Sequence, residues 1–391
     1  MQRRKILRLC TKSYTFKHKP IFIPMPACLK SYICLALLAC LLIAEGCKKN
    51  SPSTTQPVVA TLKATAPFPM GSAITSNGIL SNYFYQGVLL TEYNSMTADY
   101  EMKFDITEPK RGAFNYAPGD AIVGFAAQHH LRMHGHNFIW HQALPDWVLN
   151  FQGDTPAWET LFKTHIQSEA THYKGQVASW DVVNEAIRDD NGQLRNQDVS
   201  PGDGTGSIWR QHLGPDYIAR AFQYAHEADP GALLFYNDYG QEWGGVKLDS
   251  MIALVTGLKN RGIPISGIGM QMHIDINVDT AGITSALKRL AATGLLVHIS
   301  ELDISVNPGN DPNIVFTSAL QLKQSALYQF IAESYRKNVP AAQRYGITTW
   351  EFCDADSWIP PFFNRKDWPL PFDATYKKKP AYFGLLKGLT N

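Results

Sequence analysis

Eight short apolar runs alternating with longer amphipathic stretches restrict the fold of this chain more than any other feature. The runs fall at 68–74, 93–96, 132–138, 177–183, 233–237, 267–272, 295–300 and 348–352. Their length and composition predict strands, and the stretches between them carry helical spacing. The clearest helices are expected at 119–130, 158–173, 216–228, 246–261, 281–292 and 315–337. Ala228-Asp229-Pro230-Gly231 and Arg261-Gly262-Ile263-Pro264 close two of them with Gly/Pro stops. Such alternation predicts a parallel α/β sheet, because parallel neighbours need a crossover between them. Eight strands is the number that closes a (β/α)8 TIM barrel, although periodicity alone also allows an open doubly wound sheet.

The first 47 residues read as an address rather than as part of this fold. They hold eight basic residues, one acidic residue and five of the six cysteines. Residues 48–391 have 28 basic and 33 acidic residues, a net charge of −5, which argues against a nucleic-acid partner. Cys353 is the only later cysteine, so the body can form no internal disulfide and no cysteine zinc cluster. Residues 31–44 are apolar and uncharged, which suits a signal-peptide core and is short for a membrane span. The segment ends Ala44-Glu45-Gly46-Cys47, resembling a bacterial lipobox with Cys47 as the lipidated residue. Leu37-Leu38-Ala39-Cys40 fits less well, and an ordinary secretory leader is the alternative. The expected organisation is a signal at 1–47, a flexible tether at 48–62 and one catalytic barrel at 63–391. A lipid anchor would place an exported protein on a bacterial membrane, at the outer membrane or cell surface.

Barrel enzymes collect their chemistry at the carboxyl ends of strands, and polar and aromatic residues collect at those ends here. Trp180-Asp181-Val182-Val183-Asn184-Glu185-Ala186 puts Glu185 at the end of the fourth strand. Val297-His298-Ile299-Ser300-Glu301-Leu302-Asp303 does the same for Glu301 on the seventh, 116 residues later. These strands face each other across a closed barrel. Two facing carboxyl groups suit glycoside cleavage, one donating a proton to the leaving oxygen and the other attacking the anomeric carbon. Asn184 is placed to bond a sugar 2-hydroxyl. Either Glu taken alone could be an ordinary loop carboxylate.

His134, His136 and His141 cluster at the third strand end. No carboxylate-rich ligand set accompanies them, so bonding to sugar hydroxyls or to a catalytic carboxylate is the expected role, with no metal and no cofactor. Trp140, Trp147, Trp350, Trp358, Tyr239 and Phe362 are candidate stacking platforms for pyranose rings, and each could equally be core. No Gly-rich phosphate loop follows any strand, which argues against nucleotide or redox chemistry.

These residues resemble the family 10 glycoside hydrolases, mostly endo-β-1,4-xylanases, over nearly the whole body. The strand-four segment is similar to that family's acid/base motif, which implies Glu185 as proton donor. The strand-seven segment is similar to its nucleophile motif, which implies Glu301. Lys103, His136, Trp140-His141, Asn237-Asp238-Tyr239, Gln271, His273, Trp350 and Trp358 match other strand-end signatures and imply substrate contacts, with Asp303 in support. The resemblance implies a (β/α)8 barrel, net retention, no metal and an endo-β-1,4-xylanase acting as a monomer on xylan or a related β-1,4-linked polysaccharide. Hydrogen bonds from His273 are expected to keep Glu301 ionised, and the charge on Glu301 to raise the pKa of Glu185.

The chain departs from the family pattern at Asp99-Tyr100, where Glu-Asn is usual. It departs again at Gln142-Ala143, where a Ser or Asn followed by Gln is usual, and at Glu351, where Gly is usual. The first two replace groups that usually grip the second sugar on the non-reducing side, so a decorated xylan or another chain length is compatible. Other readings are a retaining barrel glycosidase on a different β-1,4-glycan and a non-catalytic surface glycan-binding lipoprotein. The last predicts loss of Glu185 or Glu301, and both are present.

Overall fold

In the computed structural model, residues 60–195 and 206–390 are described. The leader, Cys47 and most of the tether lie outside them. Eight strands form the barrel: β1 (Met70–Ile74), β2 (Ser95–Ala98), β3 (Arg132–Ile139), β4 (Ser179–Asn184), β5 (Leu233–Asp238), β6 (Gly267–Met270), β7 (Leu296–Ser305) and β8 (Arg344–Thr349). Each pairs in parallel with the next, and β8 returns to β1 through Met70 opposite Ile347, so the sheet closes. The open-sheet alternative is thereby excluded. A short strand, His273–Asp275, sits outside the ring and pairs with the far end of β7.

The expected strands and the six expected helices are found, with ends shifted by a few residues. The largest shift is at β7, which runs five residues past the predicted run to Ser305, and β8 starts four residues early. Gly346 precedes the predicted run but lies inside the strand at φ 148°. An added Cβ there would stand 2.5 Å from the Pro69 carbonyl, so glycine lets β8 pass the chain entering β1. Leu62, assigned above to the tether, belongs to the folded body. It begins a helix (Leu62–Thr65), is fully buried, and gives its N–H to Glu92 Oε2 at 2.9 Å.

The barrel interior is packed with rings. His134 on β3, Phe235 on β5, His298 on β7 and Tyr345 on β8 have ring centroids 4.6–6.1 Å apart. This layer plugs the lower barrel and leaves the carboxyl ends of the strands as the place for chemistry. Outside it, the long helix α1 (Ser318–Asn338) packs against the terminal helix α2 (Pro380–Leu389). Gly384 and Gly388 lie one turn apart and make that approach possible. A Cβ on either would come within 2.0 or 2.3 Å of the Ser325 or Gln329 carbonyl oxygen. Gly384→Ala must therefore push the helices apart, at about 1–3 kcal/mol as in other overpacked cores. A thermal melt should show a midpoint several degrees lower, with turnover by the folded protein unchanged.

Candidate active site

β4 ends at Asn184, and Glu185 follows in a left-handed turn at φ 55°. That conformation is uncommon for a residue with a Cβ, and it turns the carboxyl into the barrel mouth. Ala143, Met272 and Glu351 also have positive φ, at 51°, 66° and 60°, just past β3, β6 and β8. Four strand ends therefore turn in the same strained way around one opening. Glu301 differs from expectation, because β7 continues through it to Ser305, held by the added His273–Asp275 pairing. Its side chain rises from a strand rather than from a loop.

One relay of amides joins the two carboxyl groups. Asn237 Nδ2 donates to Glu301 Oε1 at 2.6 Å and to Asn184 Oδ1 at 2.9 Å. Asn184 Nδ2 reaches Glu185 Oε1 at 3.2 Å, and Gln271 Nε2 reaches the same oxygen at 3.1 Å. Trp140 Nε1 donates to Glu185 Oε2 at 2.8 Å. Asn237 is fixed in turn by Ser300 Oγ at 2.7 Å and is given room by Gly269, whose added Cβ would meet Asn237 Oδ1 at 2.0 Å.

Below Glu301 an imidazole sits between two carboxylates. His273 Nε2 is 3.1 Å from Glu301 Oε2, and its Nδ1 is 2.8 Å from Asp303 Oδ2. Trp358 Nε1 holds that Asp303 oxygen at 2.8 Å. Burial opposes a charge on His273, but the two carboxylates outweigh it and raise its pKa well above the usual histidine value. Glu301 is also buried, which alone would favour its neutral form. The His273 hydrogen bond and the fields of His136 and His273 hold it below the usual carboxyl value. Glu185 shifts the opposite way. Burial raises its pKa most, then the charge of Asp238, while Gln271 and Trp140 oppose the rise. The Glu301 charge contributes less than expected from sequence. One carboxyl is thus biased toward its anion and the other toward its acid, as the two halves of glycoside cleavage require.

The remaining predicted residues gather around this pair. His136 Nδ1 is 2.9 Å from Asp181 Oδ2, and its ring lies 5.2 Å from Trp350. His134 Nε2 is 3.0 Å from the same oxygen, so both histidines turn to one buried carboxylate. Burial would raise the pKa of Asp181, yet these two rings lower it. Lys103 Nζ lies 4.8, 5.2 and 5.7 Å from the rings of Tyr100, Trp140 and Trp350, tying one wall of the cleft together. His141 stays neutral through burial and the nearby charges of Arg195 and Lys247, its pKa lowered to about 2. Trp147 is not a platform, because its Nε1 bonds the Glu108 carbonyl and its ring packs on Phe104.

Tyr239 brings residues that the sequence did not single out. Its hydroxyl donates to Asp189 Oδ2 at 2.6 Å, and Lys247 Nζ lies 3.4 Å from its ring centre. That ammonium also pairs with Asp189 at 2.5 Å and Asp238 at 3.0 Å. Asp189 and Lys247 are 58 residues apart, with no motif of their own. The three departures are clear as well. Glu351 is buried at the left-handed position where glycine is usual, and its Oε2 accepts the Tyr85 hydroxyl at 2.7 Å. Burial and then the Asp99 charge raise its pKa well above the carboxyl range. Tyr100 is partly exposed, its hydroxyl donating to Asp105 at 2.7 Å, and Ala143 adds no polar group.

The sequence profile of glycosyl hydrolase family 10 matches residues 60–388. The endo-β-1,4-xylanase Xyn10C of Cellvibrio japonicus is 36% identical over 352 residues, which is 83% of this chain and 57% of that protein. An endo-1,4-β-xylanase of Geobacillus stearothermophilus is 37% identical over 311 residues, covering 76% of this chain and 89% of that one. The solved Cellvibrio japonicus xylanase 10C bound to xylopentaose superposes with a TM-score of 0.79 at 35% identity, covering 85% of this chain and 70% of the other. The chain spans from about a quarter to little more than half the length of several curated relatives. With a closed eight-stranded barrel, and facing glutamates at β4 and β7 tuned in opposite directions, the chain belongs to glycosyl hydrolase family 10.

Proposed function

We propose that this protein is a retaining endo-β-1,4-xylanase in which Glu301 is the nucleophile and Glu185 the acid and base. The observation that carries this reading is the carboxyl pair held by one amide relay with opposed protonation biases. The names of the curated relatives support xylan as the substrate. In the first step Glu301 attacks the anomeric carbon, the glycosidic C–O bond breaks, and the Glu185 proton passes to the leaving oxygen. A glycosyl ester on Glu301 results. Its formation removes the negative charge from Glu301, one cause of the raised Glu185 pKa, so Glu185 becomes a base. It then takes a proton from water as the water oxygen attacks the anomeric carbon and the ester bond breaks. Asn184 and Asn237 are placed to meet the sugar 2-hydroxyl, while Trp350 and Trp358 crowd the position where a hexose carries its C6 group. Tyr239, fixed by Asp189 and Lys247, is one of the substrate contacts.

Release of short xylo-oligosaccharides from xylan, and not from carboxymethyl-cellulose, tests the substrate. Glu301→Ala should abolish release. Glu185→Ala should slow xylan turnover by roughly 10²- to 10⁴-fold while sparing aryl xylobiosides with a good leaving group. Equal loss on both substrates would overturn the assignment of Glu185, and a folded wild type that retains xylan without cutting it would favour a binding role.

The pKa directions set the pH profile. Glu301 must be ionised, and its pKa is lowered, so activity falls only when pH drops through that lowered value. Glu185 must be protonated, and its pKa is raised, so activity falls as pH rises through it. In Glu185→Ala acting on an activated aryl glycoside, kcat/KM should keep its acid limb and lose its alkaline limb.

We also propose that the protein is exported and held at a bacterial membrane by lipid on Cys47, from the lipobox-like Ala44-Glu45-Gly46-Cys47. Labelled palmitate should enter the wild type and not Cys47→Ala. Equal labelling of both would remove Cys47 as the anchor.

A further inference from the structure

A surface groove of about 320 Å³ lies outside the barrel, away from the two glutamates. One side is the helix α3 (Tyr83–Glu92), and the other is the segment carrying Thr375, Tyr376 and Lys378. Three observations make it more than a surface irregularity. Tyr83 and Phe84 are 83% and 69% exposed at the top of α3, with ring centroids 6.2 Å apart at an interplanar angle of 74°. Two large bare rings side by side are costly in water and suited to the apolar faces of sugars. One turn below is Gly87, in the middle of the helix, where glycine costs about 1 kcal/mol relative to alanine. Nothing stands within 4 Å of a Cβ built there, so no internal packing demands a glycine, and its absent side chain keeps the groove open.

The third observation is continuity with the cleft. Tyr376 lines the groove, and its hydroxyl accepts from Asn82 Nδ2 at 2.7 Å and sits 3.5 Å from Asp356. The Tyr85 ring is 6.3 Å from Tyr376, and its hydroxyl bonds Glu351, the residue after Trp350. One chain of contacts therefore runs from the groove to the residue next to Trp350. Charge narrows the choice of occupant. The charged lining residues are Glu92 and Lys378, and they pair with each other at 2.8 Å. A neutral lining suits an uncharged polymer and offers nothing to nucleic acid or to an anionic membrane.

We propose that this groove is a second carbohydrate site that holds a stretch of the same β-1,4-linked xylan chain, or of its neighbour, while the cleft cuts. The inference rests on the xylanase reading above. Its effect is one of linkage: a second contact raises the effective concentration of long chains at the cleft and does nothing for short ones.

The test uses the full chain with Tyr83→Ala/Phe84→Ala and, separately, Gly87→Leu, which fills the groove with a better helix former. Retention in gels containing soluble xylan is read in the Glu301→Ala background, and turnover is read with active Glu301. Both groove variants should be retained about fivefold or more weakly, as expected for loss of one of two linked contacts. KM on long xylan should rise similarly, with hydrolysis of an aryl xylobioside unchanged. Retention equal to that of the parent overturns the proposal. So does a loss by the variants of binding to anionic phosphatidylserine vesicles with xylan retention intact, which would assign the rings to a membrane. Filling of the groove by the chain's own amino-terminal segment would leave xylan retention unchanged in Gly87→Leu. Failure of the xylanase reading is distinct, because wild type would then cleave neither xylan nor the aryl xylobioside.

Discussion

The hydrogen-bond relay from Glu185 through Asn184 and Asn237 to Glu301 is the interaction on which the rest of the site depends. It fixes two carboxyl groups that would repel each other if both were ionised, and it does so with neutral amides. The bias between them must then come from elsewhere. His273, charged between Glu301 and Asp303, supplies it on one side. Burial and Asp238 supply it on the other. A low-dielectric barrel mouth makes each of these influences larger than it would be in water.

The barrel is built to hold this relay rigid. Asn184, Asn237 and Glu301 lie on β4, β5 and β7, whose backbones are locked by parallel pairing on both sides. Strands place side chains more firmly than loops do. The departures at Tyr100, Ala143 and Glu351 sit in the segments beyond the strand ends. Glu351 illustrates the cost. A side chain takes a left-handed position, and burial and the Asp99 charge favour the neutral form of its carboxyl against the opposing Tyr85 hydrogen bond. Behind Trp350 a position where glycine is usual is thus filled by a buried carboxyl bonded to Tyr85.

Much was legible in the sequence because strand-end chemistry follows strand register. Once 177–183 and 295–300 read as strands, Glu185 and Glu301 were at the mouth of any barrel they formed. His136, Trp140, Gln271, His273, Trp350 and Trp358 followed in the same way. The residues that escaped notice are partners rather than motif members. Asp189 and Lys247 meet Tyr239 only because two distant segments cross, and no spacing rule brings them together. The carboxyl pair and the part of His273 in lowering the Glu301 pKa were legible in the sequence, but the main causes of the raised Glu185 pKa were not. Asp238 acts more strongly on Glu185 than Glu301 does, a ranking that depends on burial and distance.

By itself the sequence determined the eight-fold alternation, the two carboxyl groups and the polar and aromatic set around them, because periodicity and strand-end position are local properties of a chain. Closure of the ring, extension of β7 past Glu301, the role of Leu62 in the core and the protonation bias of each glutamate were decided by tertiary structure. Each depends on groups far apart in sequence whose separation, burial and field exist only once the chain has folded.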